Sequence, residues 1–295
     1  MKDPVEKSVF PDAGDDALAA EIAPPSAQTQ SPSYRLAYTD DDFLLSDEAR
    51  SVRLQLELLK PELSLAEQQI HSTVVVFGSA RIPAPEEAKR AYTLSVAELE
   101  SDPRSVETER RARVAKNMLI SSQYYEEARQ LAKLIAGVAQ ESERERYDFV
   151  IMTGGGPGIM EAANRGANEA GAPSIGLNIT LPHEQAPNEY ITPELCFQFH
   201  YFALRKMHFL MRARALVTFP GGFGTLDELF ETLTLVQTKK IKPIPILLYG
   251  ETYWREIINF DGMVEQGVIS QSDLSLFTYV ETAEQGWEII EDFYQ

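Results

Sequence analysis

The segment Pro220-Gly-Gly-Phe-Gly-Thr-Leu-Asp-Glu228 combines two kinds of chemistry in nine residues. Gly221, Gly222 and Gly224 let backbone amides approach an oxyanion closely, and Thr225 adds a hydroxyl. A helix beginning near Thr225 would present its free N–H groups and dipole to a phosphate. Thr225 and Glu228 are three residues apart and share a helix face, and helical side chains lean toward the N-terminus. The segment can therefore bind a phosphate and present a carboxylate about one turn, roughly 5.4 Å, away. An acid in a first turn also stabilises its own helix dipole, a role that suits Asp227 better than Glu228.

A cation is needed nearby, and Ala203-Leu-Arg-Lys-Met207 offers Arg205 and Lys206. Two further glycine-bearing loops follow β-rich runs: Gly78-Ser79-Ala-Arg81 and Thr153-Gly154-Gly155-Gly156-Pro-Gly158. Glycines after a strand commonly serve the turn itself, so each loop alone is weak evidence. The dinucleotide fingerprint would need glycine or alanine where Ile159 stands, and the Gly-Lys of a triphosphatase loop is absent. NAD and ATP chemistry are both disfavoured.

The elements that must position these loops alternate. Strands are expected at Thr73–Phe77, Asp148–Met152, Ser174–Ile179, Leu216–Phe219 and Ile244–Tyr249. Helices are expected at Ser121–Gln140, from about Ile159, and at Ala203–Arg214, Leu226–Gln237, Tyr253–Phe260 and Thr282–Phe293. Repeated strand-then-helix units specify an α/β fold, a Rossmann-like doubly wound parallel sheet with helices on both faces. In such sheets ligands sit beyond the C-terminal strand ends, where all three loops lie. Glu86–Arg113 is read as a helical insertion, within a longer inserted region near 84–120. Residues 1–50 carry eleven acidic and four basic side chains. With few large apolar residues, 1–45 is expected to be a disordered acidic tail. Ser46 caps a following helix, which Pro61 interrupts, and 46–295 is read as one domain with a helical N-terminal extension.

The net charge of −18 disfavours a nucleic-acid backbone as partner but leaves room for a small phosphate held locally at a helix N-terminus. No stretch is long and apolar enough for a membrane span, and no secretory signal is expected. The single cysteine, Cys196, reads as a packing residue and fits a reducing cytoplasm. His71, His183, His200 and His208 show no metal-ligand spacing, so no metal and no cofactor are expected.

Taken together, Thr153-Gly-Gly-Gly-Pro-Gly-Ile-Met-Glu161, the Arg205-Lys206 pair and Pro220–Glu228 resemble the Lonely Guy family over about residues 72–260. Its members are cytokinin riboside 5′-monophosphate phosphoribohydrolases, often labelled lysine decarboxylases. The resemblance implies that Arg205 and Glu228 are catalytic and that Gly221, Gly222, Gly224 and Thr225 bind phosphate. It places Gly154, Gly155 and Gly156 at the same pocket with Glu161 facing it, and implies at least a homodimer. The tail and the insertion resemble longer bacterial members.

The expected reaction is hydrolysis of a purine-type nucleoside 5′-monophosphate, AMP-like and including cytokinin nucleotides, to free base and ribose 5-phosphate. It would pass through an oxocarbenium-like state. Glu228 would stabilise that charge or position the attacking water, and Arg205 would orient Glu228 by a charge-assisted pair. Gly78, Ser79 and Lys206 join the expected phosphate-binding set. The pocket walls are expected to include the loop Pro182–Tyr190. The alternative is a non-catalytic nucleotide-binding or carrier protein of the same fold. Lysine decarboxylation needs a Schiff-base lysine, which no loop here offers.

Overall fold

In the strand Thr73–Phe77 (β1), all five residues are buried. Val74 and Val76 face one apolar cluster while Val75 and Phe77 face the other. A strand buried on both sides belongs in the middle of a parallel sheet, which explains its unbroken β-branched run. The computed structural model describes residues 12–141, 146–181 and 186–295. Further strands are Val150–Thr153 (β2), Ser174–Ile179 (β3), Cys196–Phe199 (β4), Ala213–Thr218 (β5), Ile246–Tyr249 (β6) and Thr278–Val280 (β7). Their order is β4-β3-β2-β1-β5-β6-β7, and every pair is parallel. The fold is thus α/β, a doubly wound parallel sheet with helices on both faces.

The helices are Ala13–Glu21 (α1), Asp41–Leu44 (α2), Arg50–Glu67 (α3), Pro85–Ser101 (α4), Val106–Ser121 (α5), Gln123–Glu141 (α6), Ile159–Glu169 (α7), Phe202–Met211 (α8), Phe223–Gln237 (α9), Glu251–Ile257 (α10), Phe260–Glu265 (α11) and Ala283–Tyr294 (α12). One face of the sheet packs on α6, α7 and α12, the other on α8, α9 and α10. No described helix is long and apolar enough to cross a membrane.

The chain divides into two units, 1–59 and 60–295. The described part of the first carries α1, α2, two 3₁₀ turns and the start of α3, and its only buried residue is Ala49. Local polar contacts hold these turns, such as the Asp12 cap on Gly14 and Arg35 on Asp40 and Asp42. The remaining features belong to the second unit.

Several boundaries differ from those read in the sequence, each for a physical reason. Pro61 does not interrupt its helix: α3 runs through it, because Pro61 and Leu65 are both buried and that packing offsets one lost hydrogen bond. The insertion is two helices, α4 and α5, parted at Asp102–Ser105 with Ser105 capping Thr108. β4 and β7 were not anticipated; both are short edge strands with mixed burial, so they lack the apolar run that marked the central ones. Cys196 opens β4, where burial pushes its thiol pKa up and Asn178 donates to its sulfur.

α6 and α7 pack closely at Gly166, where a Cβ would come within 2.0 Å of the Arg129 carbonyl oxygen. That atom is backbone and cannot swing aside. Gly166→Ala is expected to destabilise the protein by about 1–3 kcal/mol, read as a lower midpoint in urea with an unchanged slope.

Candidate active site

In a doubly wound sheet the chain reverses direction at one point, and loops leaving the strands there open a crevice. Here the point lies between β1 and β5: β2, β3 and β4 extend one way, β6 and β7 the other. The loops after β1 and β5 accordingly line a cleft of about 780 Å³. Gly78, Ser79, Arg205, Gly221, Gly222, Gly224, Thr225 and Glu228 all face it.

The backbone of Ser79 joins the loops. Its N–H donates to the Pro220 carbonyl at 3.0 Å, and its carbonyl accepts from the Ile159 N–H at 3.2 Å. Gly158, just before Ile159, has φ +71°, and a Cβ there would reach 2.5 Å from the Ser79 carbonyl oxygen. Gly221 is equally constrained, since its Cβ would lie 2.1 Å from Thr225 Oγ1. Around the positions a Cβ would take at Gly222 and Gly224 there is only open space.

α9 begins at Phe223 with Gly222 as its cap, earlier than the start near Thr225 read from the sequence. Two glycines disguised the first turn, since they weaken helical propensity without preventing helix geometry. Leu226 makes the first intrahelical bond, to the Gly222 carbonyl. The amides of Phe223, Gly224 and Thr225 are left for an anion. Thr225 and Glu228 are 4% and 5% exposed and both face the cleft, with Glu228 in the second turn. Asp227 carries an ion pair: the Lys206 ammonium lies 3.0 Å from it and 2.8 Å from Glu231.

Arg205, on α8, reaches across the C-terminal ends of β3 and β2. Its Nε donates to the Leu177 carbonyl at 2.7 Å and one Nη to the Gly154 carbonyl at 3.4 Å, with the guanidinium 5.2 Å from the Phe209 ring. Gly154, Gly155 and Gly156 are not among the residues lining the cleft. Asn188 donates to the Gly155 and Gly156 carbonyls, both at 3.1 Å, and Gly155 has φ +77° with no room for a Cβ beside Asn178. The triple-glycine loop therefore presents carbonyls and supports Arg205. Glu161 likewise does not line the cleft; it accepts from the Tyr125 hydroxyl at 2.8 Å. Lys206 stands behind the cleft on its two carboxylates. Of the loop Pro182–Tyr190, residues 182–185 lie outside the described residues, as does His183.

Met118, Ser121 and Tyr253 are wall residues that carried no clear sequence signal. Tyr253 donates to the Gly221 carbonyl at 2.6 Å and so pins the glycine cradle from α10. Its one clue was a place just beyond the C-terminal end of β6. Met118 and Ser121 come from the end of α5, far along the chain.

The electrostatics converge on Glu228. Burial pushes its carboxyl pKa up from 4.5 to about 7; Lys206 and Arg205 pull it down, while Glu231 and Asp227 push it up. At Lys206, burial lowers the pKa but the bonds to Glu231 and Asp227 outweigh it, so the ammonium stays charged. A Schiff-base lysine needs the opposite shift. Because the folded-state pKa of Glu228 is raised, its contribution to stability is complete below pH 4.5 and lost as pH climbs through about 7. Glu228→Gln should accordingly gain on the parent by about 3 kcal/mol between pH 4 and pH 9, as followed by chemical unfolding at each pH. A constant gap would show that the carboxyl is not held neutral by burial.

A family model described as "Possible lysine decarboxylase" matches residues 160–290. The cytokinin riboside 5′-monophosphate phosphoribohydrolase LOG1 of Arabidopsis thaliana is 30% identical over 149 residues, covering 49% of this chain and 68% of the relative. The probable enzyme LOGL3 of Oryza sativa subsp. japonica is 27% identical over 153 residues, with 49% and 68% covered. Among solved structures, the molybdenum cofactor binding protein from the phototrophic bacterium Rippkaea orientalis is 20% identical with a TM-score of 0.41, over 58% of this chain and 88% of that one. The glycine cradle, the arginine and the buried glutamate therefore sit in a chain that belongs to the Lonely Guy family of cytokinin riboside 5′-monophosphate phosphoribohydrolases.

Proposed function

We propose that the protein hydrolyses the N-glycosidic bond of a purine-type nucleoside 5′-monophosphate, cytokinin nucleotides included, releasing the base and ribose 5-phosphate. The observation that carries this reading is Glu228, a carboxyl held at a pKa of about 7 inside the cleft, one turn from the open amides of α9. Named relatives that hydrolyse cytokinin riboside 5′-monophosphates support it.

The phosphate sits on the amides of Phe223, Gly224 and Thr225 with the Thr225 hydroxyl beside it, which makes no hydrogen bond within the described residues. Thr225 to Glu228 is a rise of about 4.5 Å along the helix, which brings the carboxylate level with the sugar ring. Water oxygen bonds to C1′ as the bond to the base nitrogen breaks, and that nitrogen leaves with a proton. Ionised Glu228 stabilises the positive charge that builds on the sugar or takes the proton of the attacking water; both roles require the carboxylate form. Arg205, locked on two backbone carbonyls, adds a fixed positive charge that favours that form.

Phe223 is 91% and Phe202 51% exposed beside the cleft, an apolar rim that suits a second copy of the chain, so the reading includes at least a homodimer. Light scattering on the purified protein should return a mass at least twice 33.1 kDa. A monomer at micromolar concentration would remove this part of the proposal.

Release of ribose 5-phosphate from AMP should rise with pH through about 7. The limb of kcat should lie above that of kcat/KM, because a bound phosphate dianion raises a neighbouring carboxyl further. Glu228→Gln should lose about 10²- to 10⁴-fold in kcat while still binding AMP. A Glu228→Gln protein with full turnover, or a wild type that binds AMP and never cleaves it, would overturn the reaction and leave a nucleotide carrier.

A further inference from the structure

α5 ends in the cleft. Met118 and Ser121, from the second inserted helix, form part of the wall together with Ile82 from the loop after β1. This wall lies outside the region that matches the family model, residues 160–290, whereas Arg205, the glycine cradle and Glu228 all lie within it. We infer that the inserted helix α5 supplies the base-recognition wall of the cleft, with Met118 against the ring face and Ser121 Oγ bonding the base edge. The inference rests on the proposed reaction for its ligand.

The turn that carries these two side chains is locked. Ser122 is 3% exposed; its N–H donates to the Met118 carbonyl at 2.9 Å and its hydroxyl to the Leu119 carbonyl at 2.7 Å. Tyr125, 1% exposed, donates its N–H to the Ser122 carbonyl at 3.1 Å. Met118 therefore rests on the core cluster, and Ser121 is held half-buried at the cleft with a hydroxyl that bonds to no other described residue. A serine hydroxyl both donates and accepts, and so matches the mixed edge of a purine. A thioether packs well on a flat aromatic ring. A thioether offers nothing to a phosphate, and the glycine cradle with the Thr225 hydroxyl already accommodates one.

Calorimetry with two ligands separates the ends of the cleft: AMP, which carries the base, and ribose 5-phosphate, which does not. Ser121→Ala should weaken AMP about three- to tenfold and leave ribose 5-phosphate unchanged, and Ser121→Thr should restore AMP binding. Met118→Ala should weaken AMP more than it weakens CMP, whose smaller ring covers less of the wall. Unchanged AMP affinity in both alanine variants, or equal losses for AMP and ribose 5-phosphate, would overturn the inference. Turnover measured in parallel keeps the two readings apart: a wild type that binds AMP without cleaving it sinks the reaction alone, and one that binds neither ligand sinks both.

Discussion

Ser79 is the residue at which three separate stretches of chain are tied together. Its amide meets Pro220, its carbonyl meets Ile159, and its hydroxyl accepts from the Arg81 amide at 3.1 Å. These bonds bring the end of β1, the start of α7 and the glycine cradle before α9 to one point. Each is an ordinary hydrogen bond worth about 1 kcal/mol net. Their importance is geometric, because the cradle has few side chains of its own to hold it. Tyr253 secures the other side through the Gly221 carbonyl. With both anchors in place, the first turn of α9 is held open toward solvent and its free amides all point one way.

Once that turn is fixed, the charges around Glu228 follow. Two positive side chains next to each other in sequence act on it differently. Lys206 is ion-paired to Asp227 and Glu231, yet of the two cations it lowers the Glu228 pKa the more. Arg205 donates to the Leu177 and Gly154 carbonyls and brings its charge to the cleft wall. Without them burial would push the carboxyl up further. The balance leaves a group that changes protonation near pH 7, the range in which a proton acceptor is most useful.

Much of this could be read from residue order. β1 announced itself through Thr-Val-Val-Val-Phe, and the motif around Pro220–Glu228 pointed to the glycines and the glutamate that line one cleft. The triple-glycine loop is harder to read because glycine serves two purposes: it admits ligands, and it admits other parts of the protein. Gly155 makes room for Asn178 and Gly154 for Arg205. Only the fold distinguishes these. Met118 and Ser121 were invisible for another reason, since nothing local in a charged amphipathic helix says that its last turn meets a loop some forty residues earlier. Edge strands β4 and β7 failed as signals because each is short and mixes exposed, half-buried and buried positions.

The pairing of β1 with β5 has a consequence for how the chain is made. Thr73 pairs with Ala213, about 140 residues downstream. At about 5–20 residues per second, synthesis takes roughly 7–28 s to span that interval. Throughout that time a five-residue apolar strand has emerged without its second neighbour. Its first partner, β2, is itself postponed by the inserted helices α4 and α5. Such a run, rich in β-branched residues and free of charge, is an aggregation hazard while it waits. The insertion whose second helix reaches the cleft in the finished molecule therefore lengthens its most vulnerable interval during birth.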